Sequence, residues 1–239
     1  MLVKALAQGE LELKGQFLLG SNYTFLVDIQ HGDERIPAVY KPNRGEQPLW
    51  DFPDNTLAGR EVAAWQVSQA LGWGLVPLTI FRPDGPYGAG SVQQFIDYDP
   101  EYHYFTFSQA DKARLRSVAL FDHLTNNADR KGSHVLIEKS SGCLFAIDHG
   151  LCFHVEDKLR TVIWDFAGQP IPENLLADLA SLRAKLADPD QENGLRAALL
   201  TYLQADEVEA LERRAATLLA KRTYPDQPPG RRAFPYPPL

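Results

Sequence analysis

The sequence predicts an α+β chain of two lobes, a small β-rich N-lobe followed by a mainly helical C-lobe. Three observations predict it. Short apolar runs broken by Gly, Pro, Asn and Asp fill roughly the first 95 residues, as strands and turns do. One stretch inside that region, Leu57 to Leu71, switches to helical spacing, with Ala63, Val67, Ala70 and Leu71 on one face. From Pro172 onward leucines recur at intervals of three and four, as on amphipathic helices. The expected organisation is an N-lobe over 1–96, a C-lobe over 97–223 and a Pro-rich tail over 224–239.

In order, Leu11 to Leu18 and Phe25 to Ile29 read as two strands around a bend at Gly20-Ser21-Asn22. Ile36 to Lys41 is a third strand, closed by Pro42. A loop over 43–56 leads into the helix at Leu57, which Gly72, Gly74 and Pro77 end. Leu78–Phe81 and Ser91–Ile96 are two further strands. Ser108-x-x-Asp111 is a variant of the capping box and opens a helix carrying Leu115, Val118, Ala119 and Leu124. The polar run Asn126 to Gly132 then precedes a hairpin, Val135–Ile137 and Leu144–Ile147, around Ser140-Ser141-Gly142. Leu175, Leu179, Leu182 and Leu186 mark one helix; Leu195, Leu199 and Leu203 a second; Val208, Leu211, Ala215 and Leu218 a third. The tail holds six prolines and is expected to be extended or mobile.

Twenty-four basic residues against 31 acidic ones give a net charge of −7, which repels phosphate backbones and anionic lipid heads. General nucleic-acid binding is not expected on that ground, though a phosphate ligand fits a small local basic pocket. No apolar run reaches the ~18–20 residues of a membrane span, so stable membrane insertion is not expected. Two cysteines, Cys143 and Cys152, are too few for a disulfide framework and fit a reducing, cytoplasmic compartment.

The chemistry-bearing residues gather around the hairpin. A three-residue loop sets Lys139 opposite Cys143 and His134 opposite Asp148, with Cβ atoms about 5 Å apart. Asp129 lies just upstream and Lys131 within reach. Two carboxylates and an imidazole can hold a divalent ion, Asp129 can accept a proton, and Lys131 can reach a phosphate. The same residues also suit a hairpin whose polar ends are merely solvated. Upstream, small residues sit at the Gly20-Ser21 bend, Lys41 ends a strand, and Glu61 lies on the following helix. These parts stand in the order that phosphoryl transfer from ATP requires. The P-loop, dinucleotide-binding, nucleophile-elbow and zinc signatures are absent.

Asn127-Ala128-Asp129-Arg130 and Ile147-Asp148-His149-Gly150-Leu151-Cys152-Phe153 resemble the catalytic and metal motifs of the phosphatidylinositol 3-/4-kinase-like group. Gly59-Arg60-Glu61-Val62-Ala63-Ala64, running to Val76-Pro77, is similar to the same group and to its distant HipA-like relatives. The resemblance implies a two-lobe protein-kinase-like fold, with ATP between the lobes and Mg2+ or Mn2+ as cofactor. It implies that Gly20, Ser21 and Asn22 cover the phosphates, and that Lys41 binds them while pairing with Glu61. Gln93, Gln94, Phe95 and Ile96 would form the hinge beside adenine. Asp129 would be the catalytic base and Asp148 would bind metal. His134 stands where most relatives have Asn; it either joins Asp148 as a metal ligand, where imidazole suits manganese or zinc better than magnesium, or does not coordinate.

The expected activity is ATP- and metal-dependent phosphoryl transfer to a protein or small polar hydroxyl acceptor. Transfer of AMP on the same fold is one alternative. A nucleotide-binding pseudokinase is another, with the Pro-rich tail as a docking segment for a protein partner.

Overall fold

The computed structural model describes residues 2–17, 22–187 and 194–239. Helix α1 (Leu2–Gln8) precedes strands β1 (Glu10–Phe17), β2 (Thr24–His31) and β3 (Glu34–Pro42). Helix α2 (Leu57–Leu71) and strands β4 (Thr79–Gly85) and β5 (Gly88–Gln94) complete the N-lobe. The sheet runs β1-β2-β3-β5-β4 with every neighbouring pair antiparallel. Alternation decides its inner face: Phe25, Val27 and Ile29 of β2 point inward with Ala38 and Tyr40 of β3 and Val92 of β5. Leu6 of α1, a helix that the sequence reading did not include, joins this core.

Helix α2 belongs to both lobes. Ala63, Ala64, Val67 and Leu71 pack into the C-lobe core beside Leu179, Leu199 and Leu203. Its C-terminus stops as expected at Gly72, whose φ of +73° suits a residue without Cβ. Its N-terminus is held unexpectedly. Thr56 makes no side-chain cap, and Glu46 of the preceding loop instead accepts the Ala58 N–H at 3.1 Å. Buried Arg60 then ties the helix downward, donating to Cys152 O at 2.8 Å and to Glu207 Oε1 at 2.6 Å. The neighbouring residue, Glu61, is therefore aimed by a helix that cannot roll freely.

The C-lobe contains α3 (Gln109–Ala113), α4 (Arg116–Thr125), the hairpin β6 (Val135–Ile137) and β7 (Leu144–Ala146), and helices α5 (Glu173–Ala187), α6 (Leu195–Leu200) and α7 (Ala205–Lys221). The Ser108 cap forms, its hydroxyl accepting the Asp111 N–H at 3.1 Å. The helix it opens breaks at Arg114–Leu115, giving two helices where the sequence suggested one. Among the described residues no helix is long and apolar enough to cross a membrane.

Two expectations need correction. The hairpin pairs Val135 with Ala146 and Ile137 with Leu144, one residue off the expected register. Gly142 N–H bonds Glu138 O at 2.8 Å, so the loop has four residues and Glu138 faces Cys143. The tail is docked rather than mobile: Tyr224 is buried, and Ala233 O accepts the Thr161 N–H at 3.1 Å.

Arg60→Ala would leave Glu207 buried without its cation and is expected to lower unfolding free energy by about 3–5 kcal/mol. Denaturant titration checks it, and a loss below about 1 kcal/mol would show that this pair does not anchor α2.

Candidate active site

Lys41 leaves β3 and points into the cleft, where its ammonium meets Glu61 Oε1 and lies 3.0 Å from Asp148 Oδ1. Burial works against the charge on Lys41, but the Asp148 and Glu61 carboxylates outweigh it and hold the ammonium above its ordinary pKa. Burial likewise disfavours ionised Asp148, yet Lys41 outweighs it and keeps that carboxyl well below the usual range. Glu61 also accepts the His149 N–H at 3.0 Å, so α2 grips the start of the segment that follows the hairpin.

His134 faces Ile147, whose N–H bonds His134 O at 3.0 Å. Asp148 still reaches the imidazole because its φ is +61°, which breaks the alternation of the strand and turns the carboxylate back. His134 Nε2 lies 3.3 Å from Asp148 Oδ2. On the other side of the ring, the Lys131 N–H donates to Nδ1 at 3.4 Å, which leaves the neutral ring's proton on Nε2, facing the carboxylate. Burial pushes the His134 pKa down to about 4, so the ring is neutral near pH 7.

Asp129 sits in a loop built by two asparagines. Asn126 takes the left-handed conformation at φ +57° that ends α4, and Asn127 Oδ1 accepts the Asp129 N–H at 2.9 Å. Burial pushes the Asp129 carboxyl up to about 6; Lys131 opposes the shift, and the nearby Asp148 charge adds to it. Lys131 Nζ is 3.5 Å from Asp129 Oδ2. Asp129, Lys131, His134 and Asp148 are therefore linked by short contacts to Lys41 and Glu61.

The remaining expected residues fall around this centre. Gly20 and Ser21 lie outside the described residues. Asn22 is committed to the loop after β3, its Oδ1 accepting the Gln47 N–H at 2.8 Å. In the hinge, buried Gln93 donates to Thr79 Oγ1 at 2.8 Å, so its side chain serves the sheet. The Gln94 and Phe95 amides bond Leu78 O and Pro37 O at 2.8 and 3.3 Å, and Ile96 is buried.

Sequence reasoning missed the hub beneath the site. The fully buried Arg130 guanidinium bonds both Asp122 oxygens at 3.1 Å, Ile147 O at 2.6 Å and His134 O at 3.2 Å, and lies 2.7 Å from His149 Nε2. One side chain thus fastens α4, both sides of the hairpin and the following segment. Arg160 was missed too; its Nε donates to Ala128 O at 2.7 Å, beside Asp129. The available signal was Asp122 itself, an acid among the apolar residues of α4, which needs a partner if buried.

The residues present suit a divalent ion that arrives with a nucleotide. They offer one carboxylate and one imidazole, and no cluster of three His, Cys, Asp or Glu occurs among the described residues. Further ligands would have to be phosphate and water oxygens.

The fold is that of a two-lobed kinase. The solved Golgi casein kinase with Mn/ADP bound superposes with a TM-score of 0.56 at 14% identity, covering 92% of this chain and 74% of that one. The Helicobacter pylori proinflammatory kinase CtkA gives 0.53 at 11% identity, covering 92% and 94%. Residues 79–198 match the phosphatidylinositol 3- and 4-kinase family, and the chain belongs to it. Protein Rv2133c of Mycobacterium tuberculosis is 43% identical over 267 aligned positions, covering 97% of this chain and 93% of the relative.

Asp129 provides a test of this electrostatic picture. Its carboxyl is raised from an ordinary 3.8 to about 6, so the folded state holds the proton more tightly and ionisation destabilises it as pH rises through that window. Asp129→Asn is expected to stabilise the chain at pH 8 by on the order of 1–2 kcal/mol, with the gain vanishing below about pH 4. Denaturant titrations at both pH values check this, and a loss of stability at pH 8 would contradict it.

Proposed function

We propose that the protein is an ATP- and divalent-metal-dependent phosphotransferase acting on a hydroxyl acceptor. The observation that carries this reading is the ammonium of Lys41 shared by Glu61 and Asp148, with the half-buried carboxyl of Asp129 held nearby beside Lys131. Lys41 would exchange part of its contact with Asp148 for α/β-phosphate oxygens while Glu61 keeps it in place. Asp148 would hold the ion, with His134 Nε2 as a second ligand once the ring proton moves to Nδ1 and the Lys131 N–H gives up its bond there. That ion supplies positive charge against the phosphate oxygens. The bound structure of the Golgi casein kinase, a neighbour in fold, carries Mn/ADP and supports the same ligand pair here.

Asp129 would orient the acceptor hydroxyl and take its proton as the oxygen bonds the γ-phosphorus. The bond from that phosphorus to the β–γ bridging oxygen breaks, and ADP leaves with the electron pair. A pKa near 6 suits a group that must be ionised at neutral pH yet still accept a proton in the transition state. Lys131, beside Asp129, would balance charge as the phosphoryl group passes.

ATP with manganese or magnesium is expected to raise the melting temperature by mass action. Asp148→Asn should remove most of that shift. Asp129→Asn should keep it while lowering turnover by about 100-fold or more, the range for losing a general base. Mass spectrometry of the product should show added phosphate. Loss of nucleotide binding in both variants alike, or a product carrying AMP, would refute these assignments. His134→Asn should move the metal preference from manganese towards magnesium; an unchanged ratio would remove the imidazole from the ligand set.

A further inference from the structure

The Pro-rich tail is held on the C-lobe at Ala233 and Pro235, while residues 236–239 are exposed. It runs along the 157–164 segment and finishes on the catalytic loop. Arg231 pairs with Asp157 at 2.7 Å and donates to Asp157 O at 2.9 Å. Ala233 O accepts from the Thr161 N–H at 3.1 Å and from Trp164 Nε1–H at 3.3 Å. Pro238 O accepts the Gly132 N–H at 2.8 Å, just beyond Asp129 and Lys131. A Cβ on Gly132 would meet the Phe105 ring at 2.7 Å and Leu239 Cδ1 at 3.6 Å, so Phe105 and the tip of the tail converge on that glycine.

The way the tail is held says what the groove can read. Ala233 and Pro235 are buried while Phe234 and Tyr236 are exposed, the two-residue alternation of an extended chain. In the bonds from Thr161 and Gly132 the groove supplies the N–H and the tail supplies a main-chain carbonyl. Prolines at 235, 237 and 238 have no N–H to satisfy. Recognition through carbonyls and two small buried side chains places little demand on sequence.

We propose that the groove formed by Gly132, Phe105 and the 157–164 segment is a binding site for an extended polypeptide, and that residues 231–239 are its resident, displaceable occupant. The inference rests on the phosphotransferase reading in one respect, namely that the guest of this groove is the acceptor. It then selects a protein segment as the acceptor class, and the tail keeps that acceptor out until it is displaced.

The test uses the full chain and a fluorescent synthetic peptide with the sequence of residues 231–239. Ala233→Asp puts a carboxylate at a position only 8% exposed and should expel the tail. The peptide is expected to bind this variant at least ten-fold more tightly than the parent. Turnover with casein as acceptor should rise several-fold, and the peptide should inhibit it competitively against casein but not against ATP. Pro235→Asp should behave alike, which guards against misfolding of the first variant; an equal nucleotide-induced melting shift checks both. Peptide binding to parent and variants alike, binding to none of them, or competition with ATP would overturn the proposal. So would transfer to phosphatidylinositol vesicles that the peptide does not inhibit. Tighter peptide binding by the variants without phosphate transfer to any acceptor would support the groove and refute the phosphotransferase reading.

Discussion

A lysine ammonium shared between two carboxylates from different parts of the chain sets the geometry of this cleft. Lys41 comes from the sheet, Glu61 from the helix wedged between lobes, and Asp148 from the end of the C-lobe hairpin. Lys41 and Glu61 are largely withdrawn from water and Asp148 about half so, which is unfavourable unless the charges meet closely. The pair therefore forms only when strand, helix and hairpin are all in place, and it acts as a check on the relative position of the lobes. Much of the remaining polar burial serves that end. Arg60 and Glu46 fix where α2 lies, and α2 fixes Glu61.

Below the cleft, Arg130 performs the same service for the loop over residues 126–132. Its guanidinium meets Asp122, two main-chain carbonyls and His149, leaving little freedom for the backbone that carries Asp129 and Lys131. His149 joins the two networks, since its amide bonds Glu61 while its ring meets Arg130. A shift of α2 would be felt at the loop through one residue. The buried His149 ring, pushed well below its ordinary pKa, stays neutral beside that guanidinium.

The lobes and the order of elements were legible because strand alternation and leucine spacing are local patterns, and helix α2 fell at its expected boundaries, Leu57–Leu71. The meeting of Lys41, Glu61, Asp129, His134 and Asp148 was legible from spacing and motif resemblance together. What escaped depends on three-dimensional context. The hairpin register turned on whether Lys139 belongs to strand or loop, and its amide bonds Asp97 O, outside the hairpin altogether. Asp148 kept its place through a left-handed φ that an aspartate tolerates but does not announce. Arg130 looked like a polar loop residue because its partners are main-chain carbonyls and an acid one helix away. The tail's docking was hidden because a Pro-rich composition describes the free chain and says nothing of a groove elsewhere on the molecule.

The account stands on Asp129 as the proton acceptor for phosphoryl transfer, and the pH dependence of ATP turnover tests it most directly. The rate should rise with pH through about 6, where the Asp129 carboxyl loses its proton, and then level off. A rate independent of pH between about 5 and 8, with nucleotide still bound, would contradict it.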